Sequence, residues 1–234
     1  MQIIVDSISK KLGSVHTLDN ISLQVNKQEF VVILGPSGCG KSTLFNIISG
    51  LIKPDSGKIL INNENLTGKT GRISYMQQKD LLLPSRRLLD NVSVPLVLKG
   101  MGPKEARTLA SQYLPVFGLE EFAHHYPGQL SVGMRQRAAL LRTYLFSSEF
   151  LLLDEPFASL DAISRRKMHL WLQEIQELFH SAILFITHDI DEALLLADRI
   201  YIFSARPARV KKEIEITPAT DKAAIKADIL ALLD

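Results

Sequence analysis

The chain has 234 residues, 46% of them hydrophobic, and its 27 basic and 25 acidic side chains leave a formal charge of +2. That is enough apolar mass for one large or two small domains with a real core, and the charge balance excludes a protein whose main work is coating nucleic acid. Cys39 is the single cysteine, so no intrachain disulfide can form.

The opening MQIIVDSISKK lacks the basic start and apolar run of a secretory signal, and no stretch approaches the roughly 20 apolar residues of a membrane helix. The expectation is a soluble chain from a reducing compartment that can still dock on a membrane protein.

In chain order, IIVDSIS and ISLQV alternate apolar and polar residues and predict two early strands. FVVILG (30–35) is a continuous apolar run of the kind buried in a parallel sheet. A glycine-rich turn follows, then STLFNIISGL predicts a helix ending at Gly50. GKILIN (57–62) and RISYM (72–76) predict further strands. From about 78 to 148 the character changes: Pro84, Pro95, Pro103, Pro115 and Pro127 punctuate helical segments such as KEARTLASQYL, with no strand pattern. Within that stretch Ser131 stands at a helix start, followed by Val132 and Gly133. FLLLDEP (150–156) and AILFITHD (182–189) return to the buried-strand pattern, with an amphipathic helix over about 162–179 between them. RIYIF (199–203) and VKKEIEI (210–216) predict late strands, and DKAAIKADILALLD a short terminal helix over about 221–233. Strands alternating with helices imply an α/β fold with a parallel sheet covered on both faces.

GPSGCGKST (35–43) puts Gly35, Gly40, Lys41 and Ser42 in P-loop register between a buried strand and a helix. Glycines let the backbone wrap so that several N–H groups converge on a phosphate, and the helix N-terminus adds its positive end. Lys41 would neutralise phosphate charge and the Ser42 hydroxyl would hold Mg²⁺, with Pro36, Ser37, Gly38, Cys39 and Thr43 completing the cradle. A bulky reagent on the Cys39 thiol is expected to block nucleotide binding, and ATP to protect it. Asp154 ends a buried strand, where an aspartate can hold Mg²⁺. Glu155 follows and can orient or deprotonate an attacking water. His188 also ends an apolar strand predicted to neighbour the cradle.

GPSGCGKST, a glutamine before LLLP, LSVGMRQR, LLLDEP, SLD and THD occur in that order, and together they resemble the ATP-binding subunit of an ABC transporter. The resemblance covers roughly residues 1–210, and LSVGMRQR is its specific part. DEPFASLDAISRR, THDIDEALLLADRI and SARPAR are similar to the bacterial subfamily that imports nitrate, sulfonates, taurine or thiamine-precursor pyrimidines. The resemblance implies one ABC ATPase domain over 1–234. Its P-loop NTPase (RecA-like) core would span about 1–77 and 149–216, with N-terminal antiparallel strands and an inserted all-helical subdomain over about 78–148. It implies ATP and Mg²⁺ as cofactors and a head-to-tail pair of identical subunits. In such a pair Ser131 and the N–H groups near Gly133 would reach the γ-phosphate on the other copy, with Asp161 at the seam. Gln78 would contact Mg²⁺ and the water, with Gln77 the adjacent alternative, and His188 would contact the γ-phosphate. The implied partners are an integral-membrane permease, which would insert a short helix in a groove near Leu81, Leu82 and Leu83, and, indirectly, a solute-binding protein. Nucleic acid is not among them, and the implied location is the cytoplasmic face of a bacterial membrane.

Two other readings compete. A soluble ABC ATPase acting on nucleic acid or ribosomes usually carries coiled-coil inserts or a second cassette, and neither is present. A plain P-loop kinase or GTPase would leave LSVGMRQR unexplained. Three positions depart from the family pattern. Val132 replaces a glycine and is expected to turn toward its own subunit, leaving Gly133 as the close-approach position. Leu12 replaces the aromatic that stacks on adenine. Ser85 replaces a tryptophan on the surface expected to face the permease.

Overall fold

The computed structural model describes residues 2–233. β1 (Gln2–Leu12) and β2 (Val15–Asn26) form a long antiparallel hairpin. β4 (Ser56–Ile61) and the two-residue β5 (Glu64–Asn65) extend it to a sheet of order β2-β1-β4-β5. The larger sheet has the order β10-β9-β3-β8-β7-β6. β6 (Ser74–Met76), β7 (Phe150–Asp154), β8 (Ala182–Thr187), β3 (Phe30–Leu34) and β9 (Arg199–Phe203) run parallel, and β10 (Val210–Glu215) closes the edge antiparallel.

Every residue of β3, β7 and β8 is buried, because both faces of these strands are covered. Val31, Ile33, Leu152 and Leu184 join a core with Ile3, Val5 and Phe45 under the smaller sheet. Val32, Leu34, Leu153 and Phe185 point the other way, into a core with Leu140, Leu141 and Leu172. The unbroken apolar runs in FVVILG, FLLLD and AILFIT thus serve two cores at once.

Seven α-helices are described: α1 (Lys41–Ile48), α2 (Leu88–Leu98), α3 (Pro103–Ser111), α4 (Val132–Phe146), α5 (Ala162–Phe179), α6 (Ile190–Leu196) and α7 (Lys222–Leu233). Between β6 and β7 the described residues contain only helices, α2 to α4, and short 3-10 turns. Several details differ from the sequence expectation: α1 ends at Ile48 rather than Gly50, β6 starts at Ser74 rather than Arg72, and β5 and α6 were not expected. Pro95 does not break its helix; α2 runs through it. Leu88, Val92 and Leu96 bury on one face of α2, and that packing offsets the single hydrogen bond a proline removes. The helix begun by KEARTLASQYL stops at Ser111, three residues short, because Pro115 disfavours helical backbone at Leu114.

Strand register decides what the loops bring together. Leu34 pairs with Thr187, Asp154 with Ile186, and Met76 with Leu153. The residues following β3, β6 and β8 therefore emerge with Asp154 along one edge, the carboxyl ends of the parallel strands, where open α/β sheets bind ligands.

Candidate functional site

The loop between β3 and α1 wraps because Gly40 takes φ +130, a conformation that L side chains rarely adopt. A Cβ there would also lie 2.8 Å from Leu18 Cδ2, so the β1–β2 hairpin packs directly on the loop. Lys41 opens α1 and is buried; its Nζ donates to the carbonyls of Gly35 at 2.7 Å and Pro36 at 3.0 Å. A cleft of about 310 Å³ lies over this loop, lined by Ser37, Gly38, Gly40, Lys41, Ser42, Thr43, Gln78, Asp154, Glu155 and Arg206.

The acidic side of the cleft comes from the end of β7. Asp154 is buried, and burial pushes its carboxyl above the usual range, against hydrogen bonds from Ser42 and Tyr75. The Tyr75 hydroxyl donates to Asp154 Oδ2 at 3.1 Å, and burial together with that carboxylate drives the phenol strongly upward. The Ser42 hydroxyl and the Asp154 carboxylate form a hard-oxygen pair of the kind Mg²⁺ accepts. Among the described residues no cluster of three or more His, Cys, Asp or Glu could hold a metal alone.

Glu155 turns sharply away from the strand at φ +44, in the left-handed region. Its N–H donates to Ile186 O at 3.1 Å, which ties the strained turn to β8. The turn sets the Glu155 carboxylate between two neighbours. Gln78 Nε2 lies 3.4 Å from Oε2, and His188 Nδ1 lies 3.2 Å from Oε1. Three residues from three separate strand ends thus meet at Glu155; Gln78 and Glu155 line the cleft with Lys41, and His188 is not part of that lining. Gln77, the alternative glutamine, instead lines an apolar groove of about 430 Å³ with Leu51, Leu83, Val94, Leu98 and Phe146.

Several expected residues lie outside the cleft. Ser131 caps α4, its Oγ accepting from Met134 N at 3.2 Å, and Gly133 has nothing within 4 Å of where a Cβ would stand. Val132 does not tuck into its own subunit as expected; it stays 39% exposed in the first turn of the helix. Asp161 caps α5 by accepting from Ile163 N at 3.1 Å and Ser164 N at 3.0 Å, and the bonds from Ser164 hold its carboxyl below the usual range. Leu12 ends β1 opposite Val15, an exposed apolar pair at the hairpin tip.

Cys39 needs a correction. It is 2% exposed, packs with the core under the loop, and burial raises its thiol. Direct attack by a bulky reagent, expected from its place in the cradle, has neither access nor thiolate to work with. Its N–H is spent within the loop, on Pro36 O at 3.3 Å. Of the three leucines in LLLP, Leu82 is buried, Leu83 lines the groove and Leu81 is exposed.

Sequence reasoning missed two residues. Tyr75 reaches Asp154 only because β6 pairs with β7, and no local pattern announces that. Arg206 sits in SARPAR, a stretch noticed for its resemblance, but its place in the cleft follows from β9 lying next to β3.

Comparison with known proteins agrees with this geometry. The family model described as ABC transporter matches residues 18–158. The chain is 44% identical over 228 residues to the formylaminopyrimidine import ATP-binding protein ThiZ of Halalkalibacterium halodurans, covering 92% of this chain and 89% of that protein. It is 42% identical over 217 residues to the taurine import ATP-binding protein TauB of Pseudomonas aeruginosa, covering 90% and 82%. It is 40% identical over 212 residues to the nitrate import ATP-binding protein NrtD of Synechocystis, covering 91% and 80%. Among solved structures, the dimeric bacterial ABC transporter cassette MJ0796 superposes with a TM-score of 0.78 at 32% identity, covering 92% of this chain and 99% of that one. The same cassette is known as a dimer bound to ADP and Pi. With its cradle and strand-end residues gathered on one edge, the chain belongs to the ABC transporter family, as an ATP-hydrolysing subunit of the importer branch these relatives represent.

Proposed function

We propose that two copies of this chain, paired head to tail on the cytoplasmic face of a bacterial membrane, hydrolyse ATP to drive solute uptake through a permease. The observation that carries this reading is Glu155, set between Gln78 and His188 over a cleft that contains Lys41. Lys41 and the loop N–H groups hold the phosphates. Glu155 accepts a proton from, or orients, the attacking water, and Gln78 and His188 register the γ-phosphate from either side. Ser42, Asp154 and Gln78 are the residues that would hold Mg²⁺, which when bound neutralises charge on the β- and γ-phosphate oxygens. Ser131 and Gly133 serve the partner copy's nucleotide, which fits their absence from the cleft lining and the open space beside Gly133.

The apolar groove is the seat for a short permease helix. It touches β6 through Tyr75, with Ile73 just before that strand, and helix α4 through Phe146, so its occupant sits between the nucleotide edge and the helical stretch. The cargo belongs to the class the relatives handle: a small anion such as nitrate or taurine, or a formylaminopyrimidine. The domain division follows the same reading, with a nucleotide core and a helical arm that moves when the pair closes.

Glu155→Gln tests the assignment. Hydrolysis should fall at least about 100-fold while ATP binding is kept, measured by phosphate release and by titration calorimetry. Retained turnover would overturn it. Purifying the complex from solubilised membranes and identifying the ligand of the accompanying solute-binding protein would fix the cargo.

A further inference from the structure

The cleft contains a cation that the assignment above leaves without work. The hairpin joining β9 to β10 is anchored on the β1–β2 sheet: Ala208 N donates to Thr17 O and Asp19 N donates to Ala208 O, both at 2.9 Å. Arg209 adds an ion pair with Asp19, its Nε at 2.8 Å from Oδ2. The hairpin is further closed on itself by Ser204 N donating to Arg209 O and Arg209 N donating to Ser204 Oγ, each at 2.9 Å. From this fixed base Arg206 reaches across the phosphate loop and donates through Nη2 to Gly38 O. That is its only hydrogen bond among the described residues, so most of a five-donor fork is left over.

Charge at the site points the same way. Lys41 and Arg206 only balance Asp154 and Glu155 within the lining, and a polyphosphate brings several further negative charges. Lys41 is tied to loop carbonyls just as Arg206 is, and both cations can exchange a neutral carbonyl for a phosphate oxygen, the stronger charge-assisted partner. A guanidinium suits that role because its fork matches two phosphate oxygens at once.

We propose that Arg206 is a second cation of the phosphate cradle and contacts the polyphosphate of the bound nucleotide alongside Lys41. This rests on the reading of the cleft as a nucleotide site. Titration calorimetry with ATP in EDTA, where no turnover intervenes, tests it on the wild type, Arg206→Ala, Arg206→Gln and Lys41→Ala. Arg206→Ala and Arg206→Gln should each weaken ATP binding about tenfold and flatten its salt dependence. Glutamine keeps a donor for the Gly38 carbonyl but no charge, so full recovery in Arg206→Gln would show that the residue merely props the loop and would overturn the proposal. Wild-type affinity in both variants, with binding lost in Lys41→Ala, would refute the role of Arg206 alone. Wild-type affinity in Lys41→Ala would refute the nucleotide site itself.

Discussion

Asp154 illustrates how single residues here trade stability for chemistry. Its carboxyl is raised by burial, so the folded chain holds that proton more tightly than the unfolded one. The corresponding stability is fully present below the unfolded value of about 3.9 and is lost as pH rises through the folded value. At neutral pH the ionised group is a cost. Asp154→Asn should therefore melt at a higher temperature than wild type at pH 7, with the gain shrinking toward pH 4, while ATPase activity is lost. Calorimetric melts across that range check the sign. Gly133 makes the opposite case. Nothing in its own subunit lies within 4 Å of a Cβ, and an acidic residue in the first turn of α4 favours the helix dipole. Gly133→Asp should leave the melting temperature unchanged yet abolish ATPase, by clash and repulsion at the partner copy's phosphate that the proposed pairing brings to it. Val132→Gly, at an exposed position, should change turnover within about threefold. Equal effects of the two changes would overturn the assignment of Gly133 as the close-approach position. Of the residues discussed, Lys41, Asp154, Glu155 and His188 were legible in the sequence, because each sits at a fixed offset from a strand end. Cys39 was misread, since spacing shows that a residue is in a loop but not that its side chain turns under it.

At the scale of elements, α4 does more than carry the Ser131 cap. Arg135 pairs with Asp80 at 3.2 Å, and Arg142 donates to Asp80 O at 2.6 Å and Leu81 O at 2.8 Å. These two arginines, which in the sequence look like an ordinary polar face, hold the 80–83 loop against the helix. That loop lies between Gln78, in the cleft, and Leu83, in the apolar groove. One short segment thus touches both the cleft and the groove. On the groove rim Leu98 is 78% exposed. Leu98→Asp should leave ATP affinity and basal hydrolysis intact but abolish recovery of the permease from solubilised membranes, read by pull-down and by uptake. Loss of ATP binding in that variant would mean that the groove is a structural seam. Helix and strand types were readable from periodicity, whereas α2 running through Pro95 was not, because the packing of Leu88, Val92 and Leu96 that sustains it is tertiary.

For the whole molecule, the separation of the two half-sites is the main constraint. The cleft is lined from one edge of the sheet, and neither Ser131 nor Gly133 belongs to it. An aromatic group, with Phe117 against Trp171 at 5.4 Å and Tyr144 against Phe179 at 4.4 Å, fastens the helical stretch to α5 of the core. On the proposed reading, a second copy supplies the other half. Mixing a Lys41→Ala chain with a Ser131→Ala chain should restore activity, because a mixed pair contains one intact pocket, whereas each variant alone should be inactive. No recovery on mixing, or full turnover by a monomer, would rule out the paired arrangement.

The sequence by itself determined most of the elements, the phosphate loop, the strand-end carboxylates and the family, since these depend on local periodicity and short fixed spacings; the two-residue β5 and helix α6 were not among them. Only the tertiary structure decided that Gln78, the glutamine the resemblance already favoured over Gln77, meets Glu155, that Tyr75 holds Asp154 and that Arg206 enters the cleft. Those contacts join strands far apart in the chain, and strand order and register, set by how the two cores pack, place them.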